Sequence, residues 1–265
     1  MFASIIIAFY KNTKALYLIL KALESQSNKN FEVIIAEDDN NKNTLEYINK
    51  IKNTFSFNII HLSQQKDDGF RKNEMLNKSI KATSGELIIF LDGDSIPHKH
   101  LIKEYFKNIK TNIALFGRRV MLSESITEKL YNTNDLNFIN LFYLLTSKSK
   151  RIKYSFYLPF IKSFREKGIW GCNWGILKTH LLEVNGFDED YIKAGVGEDI
   201  DIEQRLKQVG VKLLSIRYSA IVYHLHHNEN YSVNDINYNL EIFENKKNKN
   251  IFYCTNGLIK NKQKI

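Results

Sequence analysis

The chain has 265 residues, 43% of them hydrophobic, enough for one large core or a core with a small lobe; its 2 prolines and 12 glycines leave little for a flexible interdomain linker. The formal charge of +9 favours polyanionic partners (nucleic acid, anionic lipid or nucleotide phosphates) without choosing among them. Cys172 and Cys254 form neither a metal-ligand pair nor a disulfide framework, and no stretch approaches the roughly 20 apolar residues that span a bilayer.

Residues 4–9 are a continuous apolar run, read as a strand covered on both faces rather than a signal peptide. Asn12 and Thr13 begin a helix carrying Leu16, Ile19, Leu20 and Leu23 at helical spacing. Residues 31–36 are a second strand, stopping at Glu37-Asp38-Asp39. Leu45, Ile48 and Ile51 mark a helix, and residues 57–62 a third strand. Met75, Leu76, Ser79 and Ile80 share one helix face, with Gly85 expected as the C-cap. Residues 86–91 form a fourth strand stopping at Asp92-Gly93-Asp94; after Pro97 a helix turns Leu101, Ile102, Tyr105, Phe106 and Ile109 inward. Residues 136–165 interleave apolar, aromatic and basic side chains, as an insertion that either packs on its own domain or lies on an anionic membrane. Strands at 169–177, 211–216 and 221–223 and helices at 179–184 and 200–209 complete the pattern. Such alternation implies an α/β fold with a mainly parallel sheet, whose ligands bind beyond the carboxyl ends of the strands.

Two of the first four strands end in acids. Asp92 and Asp94, flanking a glycine, suit a hard cation that bridges substrate phosphates. Glu37 and Asp38 suit hydrogen bonds from a nucleobase or ribose. Glu198 and Asp199 open a helix, where the dipole alone stabilises acids; the functional reading makes Asp199 a general base. His224, His226 and His227 follow a strand as metal or phosphate contacts. Arg71 and Lys72, at a helix start, find a reason in a nearby diphosphate, and Trp170 or Trp174, beside Asn173, offers an aromatic surface to a sugar.

Taken in order, these segments resemble the family 2 glycosyltransferases of the GT-A fold, in the branch whose C-terminal part is similar to β-galactosyltransferases and chondroitin polymerases. Residues 4–10 look like the opening strand, with Ala8 and Tyr10 at its nucleoside-contacting end. Residues 31–38 resemble the strand whose acid contacts uracil or ribose, and residues 68–77, with Gly69, Arg71 and Asn77, the segment that holds the nucleotide. Residues 86–94 look like the strand ending in the metal-binding Asp-x-Asp, with Asp92 and Gly93 also beside the donor; residues 185–189 and 197–201 are similar to the acceptor-side block with its catalytic base. His224 takes the position of the family's third metal ligand.

The resemblance implies a GT-A (Rossmann-like) single domain with a helical insertion. It divides into a domain over 1–230 (nucleotide-binding half 1–120, insertion 136–165, acceptor-side half 168–230) and a C-terminal helical tail over 231–265. The implied activity is Mn²⁺- or Mg²⁺-dependent, inverting transfer from a nucleotide sugar, a UDP-sugar, to a saccharide or lipid-linked saccharide in bacterial surface polysaccharide or lipopolysaccharide synthesis. Asp199 and Glu198 are its catalytic pair, and Asp92, Asp94 and His224 its metal ligands. A cytoplasmic enzyme peripheral on the inner membrane face, with no nucleic-acid partner, follows. The rivals are a sugar nucleotidyltransferase, which wants a glycine-rich loop where residues 8–12 have none, and a basic nucleic-acid or membrane-binding module, which leaves the acids at strand ends unexplained.

Overall fold

The computed structural model describes residues 1–164, 168–228 and 231–260. Residue 165 of the expected insertion, 229–230 of the acceptor-side half and 261–265 of the tail lie outside the described residues. A seven-stranded sheet runs β3–β2–β1–β4–β8–β6–β9, with β1 Ala3–Phe9, β2 Phe31–Glu37, β3 Ile59–Ser63, β4 Leu87–Asp92, β6 Ile113–Phe116, β8 Asn173–Leu177 and β9 Lys212–Ser215. The first four are mutually parallel where they pair; β8 is antiparallel to β4 and β6, and β9 is parallel to β6. A small sheet, β5 (Ser95–Pro97), β10 (Ile221–His224) and β7 (Arg118–Met121), stands beside it.

The apolar runs become strands because both faces are covered. Ile5, Ile7, Val33, Ile35, Leu87 and Ile89 point into one core, shared with α1 (Thr13–Glu24), α2 (Lys42–Ile51), α4 (Leu101–Asn108), α5 (Glu124–Thr133) and Leu144 of α6 (Leu141–Thr146). Ile6, Ile34, Ile88 and Phe90 point into the other, with α3 (Lys72–Ala82), α7 (Lys178–Glu183) and α8 (Glu198–Gln208). A final helix, α9 (Val233–Asn248), starts in a Ser232–Asp235 capping box and packs on α8.

Several expectations need correction. Gly85 is no C-cap: α3 ends at Ala82, and Gly85 instead passes so close to β1 that a Cβ would lie 2.6 Å from the Ser4 nitrogen. Leu45 faces solvent, and Thr44 and Ile48 are the buried positions of α2. The strand expected from 169 begins at Asn173, leaving 168–172 as a loop. β5, β6 and β7 were not anticipated, because strands of three or four residues carry too little periodicity to read, and the helix α5 was not anticipated either. The described part of the insertion is less helical than expected: α6 has six residues, and its other described residues form two 3₁₀ turns and irregular chain.

Arg205 fixes α8 against the turn that precedes it. Its Nη1 donates to the carbonyls of Val184 (2.7 Å) and Gly186 (2.8 Å), its Nε donates to Asp201 (2.8 Å), and Tyr191 donates to the same carboxylate (3.1 Å). Replacement Arg205→Met leaves Asp201 buried without its cation, and urea denaturation is expected to register a loss of about 3–5 kcal/mol.

Candidate active site

Parallel register puts the carboxyl ends of β1, β2 and β4 in one row: Ala8 lies opposite Ala36 and Asp92, and Phe9 opposite Glu37. Gly93 crosses directly over β1, donating to the Ala8 carbonyl at 2.7 Å; a Cβ there would sit 2.8 Å from that oxygen, so only glycine lets the chain turn there between Asp92 and Asp94.

On the β2 side, Asp38 accepts from Gln64 Nε2 (2.6 Å) and the Arg71 backbone N–H (2.9 Å); burial raises its pKa against these bonds. Gly69, at φ +74°, shapes this loop, its carbonyl accepting from Gln64 at 3.0 Å, and Tyr10 is exposed beside Lys11. Three expected contacts have other duties. Glu37 is buried and held by His61 of β3 (2.7 Å); Asn77 bonds the Phe187 carbonyl (2.8 Å), the Phe187 N–H (2.9 Å) and Glu189; and the Arg71 guanidinium turns to Asp68 (2.7 Å).

The cation facing the cleft is its neighbour, Lys72. Its Nζ lies 3.2 Å from Asp92 Oδ1 and 3.4 Å from Glu198 Oε1, and these acids, with Asp199, hold its pKa well above the usual value despite burial. Asp199 Oδ2 accepts the Gly171 N–H at 2.8 Å. Burial, then the charge of Glu198, pushes the Asp199 carboxyl up to about 7, with Lys72 opposing. Gly197 enters α8 at φ +138°, where a Cβ would also meet Asn239 of α9 at 2.7 Å.

Asp94 turns to the histidines. Its Oδ1 lies 3.3 Å from His224 Nε2 and its Oδ2 3.0 Å from His227 Nε2, and the donor atoms of all three lie within 4.8 Å of one another. Burial depresses His224, whose Nδ1 is enclosed without a partner, while the hydrogen bond to Asp94 raises His227 to about 9. One carboxylate and two imidazoles make a donor set that a divalent transition ion fits. The expected ligands are thus regrouped: Asp94 and His224 meet, His227 joins them, Asp92 lies against Lys72, and His226 is exposed.

Trp170 and Asn173 also differ from expectation. Asn173 is buried between the Tyr105 hydroxyl (2.7 Å) and the Ala220 carbonyl (2.9 Å), so its amide is part of the scaffold. The Trp170 ring is met by the guanidinium groups of Arg118, Arg119 and Arg151. Trp174 is buried and stacked on Phe90. Lys72 and His227 were read from the sequence as diphosphate and metal contacts beside Arg71 and His224; Arg119 was not, because β7, which carries it, is only four residues long.

The profile of Glycosyl transferase family 2 matches residues 4–181, and one described as the N-terminal domain of galactosyltransferase matches residues 155–228. The chain is 22% identical to the uncharacterized glycosyltransferase YfnE of Bacillus subtilis, covering 93% of this chain and 70% of that protein. It is 35% identical over 91 residues to WfaP of Escherichia coli, a UDP-Glc:alpha-D-GlcNAc-diphosphoundecaprenol beta-1,3-glucosyltransferase, covering 34% of each chain. The fold superposes on GalNAc-T7 crystallised with UDP, GalNAc and Mn²⁺ with a TM-score of 0.64, at 14% identity, over 92% of this chain and 48% of that one. The chain thus spans about a third of WfaP and about half of GalNAc-T7.

The raised Asp199 pKa carries a stability signature. Folding favours the protonated carboxyl, so its contribution is full below the unfolded pKa near 4 and is lost as pH rises to about 7. Asp199→Asn has no such loss. Urea unfolding of the metal-free protein is expected to show the variant gaining on the parent from pH 4 to pH 7, reaching roughly 2–4 kcal/mol and levelling off above.

Proposed function

The chain belongs to Glycosyl transferase family 2, and from that premise we propose that it moves a sugar from a nucleotide donor, a UDP-sugar, to a hydroxyl of a saccharide or lipid-linked saccharide, with inversion at the anomeric carbon. The observation that carries the reading is Asp199: a carboxylate poised near neutrality, fixed by the Gly171 N–H and facing Asp92 across Lys72. Residues 1–120 act as the nucleotide-binding half and 168–230 as the acceptor-side half.

In this reading Ala8, Tyr10, Asp38 and Gly69 border the nucleoside. Mn²⁺ suits Asp94, His224 and His227 better than Mg²⁺, because two of the donors are imidazoles; bound there, it would neutralise charge on the diphosphate leaving group. Lys72 offsets part of the charge of Asp92 and Glu198, which lowers the repulsion an approaching diphosphate meets at this edge. Asp199 takes the acceptor hydroxyl proton as the new C–O bond forms and the bond to the diphosphate breaks on the opposite face. Glu198 raises the basicity of Asp199 by its charge. The Mn²⁺ and UDP bound by GalNAc-T7 and the UDP-Glc donor of WfaP support this choice of donor and ion.

The lipid-linked acceptor of WfaP supports placing this chain on bacterial surface glycans at the inner face of the membrane. Among the described residues no helix is long and apolar enough to cross a bilayer. The insertion instead exposes Phe142 (68%), Leu145 (64%) and Phe160 (77%) in a stretch that also carries Lys148, Lys150, Arg151, Lys153 and Lys162. Apolar side chains among cations are complementary to an anionic phospholipid surface.

Asp199→Asn is expected to bind donor as the parent does while transfer falls by about 10²–10⁴-fold, measured as nucleoside diphosphate release with acceptor present; transfer at the parental rate removes the base assignment. Asp94→Ala is expected to abolish the Mn²⁺ dependence of UDP binding in calorimetry. The parent is expected to co-sediment with phosphatidylglycerol vesicles but not with phosphatidylcholine ones, and Phe142→Ser with Phe160→Ser to remain in the supernatant.

A further inference from the structure

Three guanidinium groups converge on one indole. The Cζ atoms of Arg118, Arg119 and Arg151 lie 4.5, 5.4 and 4.8 Å from the centroid of the Trp170 ring. Arg118 and Arg119 come from β7; Arg151 comes from the insertion, tied to β7 by paired backbone bonds between Met121 and Lys150 (3.0 and 2.8 Å). Arg151 itself is held at φ +58°, a left-handed conformation that costs a non-glycine residue energy. Arg118 is committed to the scaffold, donating to the carbonyls of Gly117 (3.0 Å) and Gly168 (3.4 Å). Arg119 is different: its Nε is enclosed with no hydrogen-bond partner. Among the described residues neither Arg119 nor Arg151 has a carboxylate within ion-pair distance. Guanidinium groups gathered this closely repel one another, and an anion on Arg119 and Arg151 removes that cost while accepting the planar donors in pairs.

The position says which anion. Trp170 precedes Gly171, the residue whose N–H holds Asp199. Arg119 lies opposite Val222 in the pairing of β7 with β10, two residues before His224. The cations therefore sit between the base and the histidines, on the β8 side of the cleft, whereas Asp38 and Gly69 lie on the β2 side. We infer that Arg119 and Arg151, steadied by the face of Trp170, bind a phosphate group carried by the acceptor. The inference rests on the transferase reading above and deepens it: the acceptor is a phosphorylated saccharide or saccharide–lipid diphosphate rather than a neutral sugar. It also gives Trp170 a role other than sugar stacking.

Inorganic pyrophosphate tests the site in EDTA, where no metal can hold it, with Trp170 as reporter, since the other tryptophan, Trp174, is buried. Titration is expected to shift the emission of the parent, and the shift to vanish in Trp170→Phe. Arg151→Gln, at an exposed position, and Arg119→Gln are each expected to weaken pyrophosphate binding, followed by calorimetry, at least about tenfold. Arg151→Lys is expected to recover only part of it, because an ammonium lacks the planar fork. Excess UDP is expected to leave pyrophosphate binding in place. Parental affinity in both Gln variants overturns the site. Displacement of pyrophosphate by UDP, with UDP itself weakened in Arg119→Gln, assigns the cations to the donor and overturns the acceptor assignment. UDP binding to the parent in Mn²⁺ is measured in parallel: its presence beside a failed pyrophosphate titration overturns this inference alone, whereas its absence sinks the transferase reading and the acceptor assignment with it.

Discussion

Four carboxylates, Asp92, Asp94, Glu198 and Asp199, meet at one edge of the central sheet, and the features around them are arranged to make that tolerable. Lys72 stands between Asp92 and Glu198, so one ammonium serves two acids from different halves of the chain. Asp94 is turned from that group to two histidines. Asp199 is buried beside Glu198, and the Gly171 N–H and the charge of Lys72 offset this only in part, so its proton affinity rises. The same shortage of positive charge that costs the fold stability is what suits the cluster, in the proposed transfer, to supply a base and hold a cation.

Backbone geometry brings these groups together before any side chain does. β1 is the central reference: β2 and β4 pair with it in register, so Asp38 and Asp92 emerge on either side of Ala8 and Phe9. Gly93 lies on the Ala8 carbonyl, and Gly197 turns into α8 beneath Asn239 of α9. Both glycines are needed for steric reasons, one for close approach and one for a positive φ, and each stands next to an acid of the site. The small sheet then delivers the opposite wall, because β7 and β10 run parallel with Met121 opposite His224, which places Arg119 and the histidines on adjacent strands.

The first half of this arrangement was legible in the sequence. Apolar runs ending in acids at 37–39 and 92–94 give both the parallel sheet and its functional edge, since a strand buried on two faces has a simple pattern and its end is where polarity returns. The second half was not. β5, β7 and β10 are three or four residues long, so their pairing is decided by contacts distant in sequence. Lys72 and Arg71 are neighbours of identical charge, and only the start of α3 determines that one faces the cleft and the other faces Asp68. Asn77, Glu37 and Asn173 resemble ligand contacts in composition, yet each meets a buried partner that periodicity cannot reveal.

The charge excess of the whole chain takes on a different meaning once it is located. A net +9 spread evenly is a statement about solubility and non-specific association. Here part of it is concentrated where the insertion meets β7, with Arg119 and Arg151 against Trp170, while Lys148, Lys150, Lys153 and Lys162 share the stretch that exposes Phe142 and Phe160. If the chain acts as proposed, a cleft with one acidic edge and a basic far wall would distinguish its two substrates electrostatically. The acidic edge accepts phosphates only through an intervening cation; the basic wall accepts them directly. On the proposed reading that asymmetry would keep a nucleotide and a second phosphorylated molecule from competing for one position.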